Sequence, residues 1–442
     1  MSEQIDDAKR ALGRALAGLR TAGGWTQQRL AASTFVDRSY VAHAESGRVI
    51  PNERFWVDAD AALGAGGDLI SGFERLAATR DRATRETTAG SGPAPAGNAG
   101  AGSAGANRST RDVADESLAF ANRAAASNLN EVTLEYLRCE VSRLAIAYVH
   151  ADLPPVFLDL VAARDEMFGL LDGHQRPRHT RELYFLAGAT CLMLAQASRD
   201  LGDPRAELAQ LRCAWTCVDL ADHPGLRAWA QGTAARQVEG SGQPRRAMAL
   251  AAEALGATGG SPGSRVRLAA VRARAAARAG DRATALAAAA LAAAPADGPP
   301  DELDALGGIL TFPEAKRLFY LGGTFALLGD HTTAERHARA AVARYENGPV
   351  AERSYGDEGL ARLDIAAARL HDGDVDSARE ALGPVLALPA SRRIAEFHPA
   401  LAGTRDLLRR PGFTGSAAAR SLLDEVRGYL DQPTGGALPS TG

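Results

Sequence analysis

The chain has 442 residues, 46% hydrophobic and 23% charged, with a formal net charge of −3. That length predicts about two to four domains, and the near-neutral charge excludes a polycation, so any nucleic-acid contact must come from a local basic surface. None of the four cysteines, Cys139, Cys191, Cys213 and Cys217, forms a CxxC pair. They read as small buried hydrophobes in a reducing cytoplasm; Cys213 and Cys217 stand one helical turn apart but cannot complete a tetrahedral zinc site alone.

In chain order, the first helix carries Leu12, Leu16 and Leu19 on one face. It gives way to Gly23-Gly24-Trp25-Thr26, where Thr26 caps a short second helix. Thr34-Phe35-Val36-Asp37 makes a turn, Asp37 caps a third helix over 38–45, and Ser46-Gly47-Arg48 stops it. Two short helices across a tight turn have the spacing of a helix-turn-helix. Residues 1–76 hold nine basic and ten acidic residues, a net of −1. A DNA-binding head with that balance needs Arg29, Arg38, Arg48 and Arg54 on one face, and it predicts modest affinity per head, raised by dimerisation.

The runs LRTAGGWTQQRLA, from Leu19, and VDRSYVAHAESGRVIP, from Val36, resemble the Xre/Cro/C1-type helix-turn-helix family. The shared pattern is Leu-Arg, then Gly-apolar-Thr-Gln-x-x-Leu-Ala, then a valine, an apolar position and Glu-x-Gly-Arg. The resemblance implies that Val36 and Val41 are core and that Arg20 and Glu45 form a structural ion pair. It implies a phosphate contact for Gln27, at a helix start that favours anions. Arg38, Ser39 and His43 fall on the face that enters the major groove of double-stranded DNA, where Arg pairs bidentately with guanine, Ser is less selective, and His43 neighbours a base or a phosphate. Arg48 would touch the backbone. Tyr40 either stacks on sugar-phosphate or packs at the domain edge. Phe35 departs from the family, standing where a turn glycine is usual; a bulky residue at positive φ is strained.

Residues 77–112 are dominated by Gly, Ala, Ser, Thr and Pro without a large apolar residue, and read as a disordered linker. The GxGxxG at Gly100, Gly102 and Gly105 has no strand or helix around it, so it is not read as a dinucleotide fingerprint. Beyond the linker every periodic segment is helical, and one turn recurs. Gly242-Gln-x-x-x-Ala247, Gly280-Asp-x-x-x-Ala285, Gly329-Asp-x-x-x-Ala334 and Gly373-Asp-x-x-x-Ala378 share it, with Gly202-Asp203 a weaker copy. The glycine ends one helix in the left-handed conformation, the polar residue starts the next, and the alanine permits close approach. The pattern resembles tetratricopeptide (TPR) repeats over about residues 181–390, though its steps exceed their usual period of about 34 residues. Helices near 113–127, 130–150 and 154–172 are expected to cap the start, and others near 392–409 and 417–430 the end.

The expected architecture is therefore all-α: a helix-turn-helix bundle over 1–76, a linker over 77–112, a TPR-like α-solenoid over 113–430 and a disordered tail over 431–442. No Walker loop or nucleophile elbow is present, and His174 and His179 lack companions for a metal, so neither an enzyme nor a cofactor is expected. No apolar run reaches membrane length; the alanines of 283–294 are too short a stretch. The expectation is a cytoplasmic, homodimeric transcriptional regulator whose array dimerises or senses a peptide, small molecule or partner protein. The alternative is a TPR-like scaffold with a degenerate or protein-binding head.

Overall fold

The computed structural model describes residues 2–34, 38–47, 51, 53–76, 127–257, 260–294 and 298–432, with scattered positions from 110 to 121; of 2–7, 32, 38–40, 43, 53 and 54 it describes the backbone alone. Among the described residues there is no strand, and the expected all-α class holds. The chain divides into two compact units, residues 1–107 and 108–442. The segment read as a linker, 77–112, lies outside the described residues except at position 110, as do 433–442 of the tail.

The first unit holds α1 (Ser2–Ala22), α2 (Gln27–Ser33), α3 (Arg38–Glu45) and α4 (Glu53–Leu63), followed by α5 over 68–76. Leu12 and Leu16 of α1, Leu30 of α2, Val41 and Ala44 of α3, Trp56 of α4 and Leu69 of α5 form one buried core, with Leu19 at its margin. The last two helices were not among the elements expected from the sequence. Trp56 is buried, its indole N–H donating to Pro51 O at 3.1 Å. The Asp60 carboxylate accepts from the Gly67 and Leu69 amides at 2.8 and 2.9 Å, satisfying the orphan donors where α5 begins.

The first fully described helices of the second unit are α6 (Glu131–His150) and α7 (Leu153–Leu171). Six helix pairs follow: α8 and α9 (Pro177–Asp200, Pro204–Ala221), α10 and α11 (Pro224–Gly240, Pro244–Gly256), α12 and α13 (Pro262–Arg278, Arg282–Ala293), α14 and α15 (Glu314–Leu327, His331–Asn347), α16 and α17 (Tyr355–His371, Val375–Leu386), and α18 and α19 (Phe397–Leu408, Ala417–Leu430). Each second helix packs on its own first helix, and from α10 to α18 the first helices also pack on one another.

The recurring turn has the local structure its residues dictate. Gly202, Gly242, Gly280, Gly329 and Gly373 all sit between φ 77° and 83°. At Gly280 the glycine N–H donates to Ala277 O at 3.1 Å and the next N–H reaches back to Ala276 O at 2.9 Å, a Schellman closure that satisfies the last carbonyls of α12. Asp203, Asp281, Asp330 and Asp374 then cap the following helices, accepting from the backbone N–H of Ala206, Thr284, Thr333 and Ser377 at 2.9–3.0 Å. Gln243, at the corresponding place, makes no side-chain cap bond. The alanines Ala247, Ala285, Ala334 and Ala378 are fully buried.

Two features depart from a plain row of hairpins. The longest interval between turn glycines, from Gly280 to Gly329, contains two 3-10 turns, Asp304–Leu306 and Gly308–Leu310. Leu303, Leu306 and Leu310 are buried in the core of α6–α10, and Ser142 Oγ donates to Leu306 O at 2.9 Å. The chain passes so close to α6 that a Cβ on Gly308, at φ +53°, would stand 2.0 Å from Ala145 O. The second feature is a closure between the two ends. Arg392 Nε donates to Asp152 Oδ1 at 2.7 Å, the Ala395 amide to Asp200 O at 2.7 Å, and Arg236 Nη2 to Glu396 Oε1 at 3.0 Å. The segment leading into α18 thus returns to the helices that begin the array.

Candidate nucleic-acid interface

Thr26 sits at φ −79° and ψ 156°, and its side-chain oxygen accepts the Arg29 amide at 3.1 Å, so α2 starts where its cap residue places it. Leu30 and Ala31, the apolar pair of α2, face the core. Arg29 lies on the outer side, its guanidinium 4.1 Å from the Trp25 ring centroid.

The end of α3 is held from two directions. Arg20 of α1 forms a bidentate pair with Glu45, through Nε to Oε1 and through Nη2 to Oε2 at 3.1 Å. Its remaining arm, Nη1, donates to Trp25 O at 2.8 Å. Gln27 Nε2 donates to Glu45 Oε2 at 2.8 Å, so one carboxylate ties α3 to both α1 and the first residue of α2. The Arg20 and Glu45 side chains are only 13% and 9% exposed. The hydrogen bond to Glu45 raises the Arg20 pKa above its ordinary value, so the guanidinium stays charged. The expected ion pair is present; the tie from Gln27 was not expected.

Close packing sets the distance between α1 and α3. A Cβ on Gly13 would lie 2.5 Å from both Ala44 O and Glu45 O. Gly47, at φ +71°, lies against Arg10, where a Cβ would meet Cα at 3.0 Å. Only glycine permits that approach, and a glycine inside α1 at position 13 was the signal for it.

Of the residues read as candidate contacts, Gln27 is half-buried at the start of α2, with one of its two amide hydrogens committed to Glu45. Arg38, Ser39, Tyr40 and His43 lie on α3, Arg38 as its first residue; their side chains, and the whole of Arg48, are outside the described residues. Val41 is fully buried, as expected of a core position, whereas Val36 and the turn residue Phe35 are outside the described residues. Among the described residues no three His, Cys, Asp or Glu are grouped to hold a metal ion, and no helix is long and apolar enough to cross a membrane. The Cys213–Cys217 pair gains a third thiol from α8: Cys191 Sγ lies 3.7 Å from Cys213 Sγ.

A family profile described as a helix-turn-helix domain matches residues 11–71. No curated protein and no solved structure matches the chain. The N-terminal unit therefore carries a helix-turn-helix domain, with α2 and α3 as the two helices of the motif.

Proposed function

We propose that this protein is a sequence-specific, Xre/Cro/C1-type transcriptional regulator, cytoplasmic and homodimeric, with a TPR-like array that takes an effector. The observation that supports it most is the triple tie on Glu45, which holds the end of α3 to α1 and α2. A recognition helix fixed in this way presents its outer residues to the major groove without further ordering cost. In this reading Arg38 and Ser39 read base edges, with His43 beside them. Gln27 reaches a phosphate through its free amide hydrogen, and Arg48 and Tyr40 lie against the sugar-phosphate backbone. Two heads on one dimer favour a two-fold related operator with half-sites about 34–36 Å apart.

The test is selection of bound fragments from random double-stranded DNA by the full chain. Enrichment of one sequence supports the reading. One observation favours a rival: the net charge of −1 over residues 1–76. No enrichment, with only weak salt-sensitive binding, would leave the helix-turn-helix as a protein-binding head on a TPR-like scaffold.

A further inference from the structure

The hairpin of α8 and α9 brings together three of the four cysteines, a grouping that the regulator reading leaves unused. Cys191 lies on α8, and Cys213 and Cys217 lie one turn apart on α9. Gly188, three residues before Cys191, lets the two helices close on each other. A Cβ there would stand 3.2 Å from Cys217 Cβ and 2.9 Å from Leu226 Cδ2. Across the hairpin the Cys191 thiol donates to Cys213 Sγ at 3.7 Å. A disulfide needs a separation of about 2.05 Å, and the remaining approach lies within the reach of side-chain torsions.

The three thiols are not equivalent. Cys191 is fully buried and Cys217 is 4% exposed, whereas Cys213 is half-buried and meets solvent. The hydrogen bond from Cys191 pushes the Cys213 thiol below its ordinary value despite its burial, and Cys217 and the charge of Arg164 on α7 act in the same direction. The same contact pushes the Cys191 thiol up. The proton therefore belongs to Cys191 and the negative charge to Cys213, the sulfur that solvent reaches. The thiolate, not the thiol, is the nucleophile toward a peroxide.

We propose that Cys213 and Cys191 form a peroxide-responsive site, in which oxidation joins α8 to α9 through a disulfide. The Cys213 sulfur attacks one oxygen of hydrogen peroxide and the O–O bond breaks. The sulfur becomes a sulfenic acid, and the departing hydroxide takes up the proton released from Cys213 and leaves as water. The Cys191 sulfur then attacks the Cys213 sulfur and the S–O bond breaks, the Cys191 proton leaving with the hydroxide as a second water. Two thiols are oxidised to one disulfide, and one peroxide is reduced to two waters. The bond closes a covalent loop round the Gly202 turn. A dithiol reductant reopens it by exchange, so in a reducing compartment it is transient. This chemistry stands on the array alone and is independent of DNA reading by the head.

The experiment is a count of free thiols in the full chain, denatured after exposure to excess hydrogen peroxide, in a Cys139→Ser background that removes the exposed fourth thiol. Of the three thiols left, two are expected to be lost without a covalent dimer, and dithiothreitol is expected to restore both. Chymotryptic cleavage at Trp215 separates Cys213 from Cys217, so mass spectrometry of the oxidised chain identifies the partner of Cys191. That partner is expected to be Cys213, and adding Cys217→Ser leaves the loss of two thiols unchanged. Adding Cys213→Ser slows the first oxidation at least about tenfold, because the sulfurs that remain are held from solvent. Thermal melts report that each variant is folded. Retention of all three thiols, a bond from Cys191 to Cys217 or between chains, or an unchanged rate in folded Cys213→Ser overturns the proposal.

Discussion

Glu45 accepts hydrogen bonds from Arg20 and Gln27, donors on two other helices, and is itself the last residue of α3. Replacing it with Ala leaves the Arg20 guanidinium, 13% exposed, without its anion. Glu45→Ala is expected to cost about 1–3 kcal/mol and to speed hydrogen exchange across 38–47. Unchanged exchange there would show that packing alone holds α3. The Arg20–Glu45 pair was legible in the sequence because its spacing belongs to a recognised motif. The Gln27 tie was not, because a polar side chain at a helix start reads equally as a phosphate donor. In the array, burial raises the Asp200 pKa to about 7, with repulsion from Glu396 adding to it, although Tyr148 and Gln196 donate to its carboxylate, each at 2.8 Å. A carboxyl raised in this way favours the folded state below its unfolded pKa of about 3.9, and that contribution is lost as pH rises through about 7. Asp200→Asn is therefore expected to reduce the loss of stability between pH 5 and pH 8, read as urea midpoints of parent and variant. A difference between the two midpoints as large as the parent's contradicts the assignment.

The helices differ in what their glycines do. At Gly280 the backbone is left-handed, at φ +78°, and the space around a Cβ is open. Gly280→Ala is expected to cost only the conformational strain, about 1–2 kcal/mol. At Gly13 the backbone is helical and the space is closed by the carbonyls of Ala44 and Glu45. Gly13→Ala is expected to cost more, above about 2 kcal/mol, because α1 and α3 must separate. Thermal melts of the two variants that rank in the opposite order would contradict this division. The repeat turns could be read from sequence because each is local, a glycine and its capping Asp within a few residues. The connection at 298–313 could not: Leu303, Leu306 and Leu310 keep a helical spacing, but Gly307 and Gly308 interrupt it, and the core of α6–α10 that buries these leucines comes from far earlier in the chain. The fourth and fifth helices of the head were likewise missed, since Trp56 acts through the Pro51 carbonyl before its helix and Asp60 through the Gly67 and Leu69 amides after it.

Taken as a whole, the array is joined end to beginning by Arg392–Asp152, by the Ala395 amide on Asp200 O and by Arg236–Glu396. An open solenoid frays from its ends, each repeat touching only its neighbours. A closed one has no such end. Hydrogen exchange in the full chain is expected to show α6 and α18 opening together with the central hairpins rather than before them. Early, independent opening of α18 would mean that these three contacts do not couple the ends. The all-α class and the order of hairpins followed from periodicity. The closure did not, because it joins residues far apart in sequence.

In the proposed function α3, held by Glu45, reads DNA sequence through Arg38. Its most direct test is the affinity of the full chain for the enriched duplex relative to a scrambled one, at a single stated salt concentration. A ratio of at least about 10³ is expected for the parent, falling about tenfold or more in Arg38→Ala, with affinity for the scrambled duplex changing far less. A parental ratio near one, or a ratio unchanged by Arg38→Ala, would contradict it.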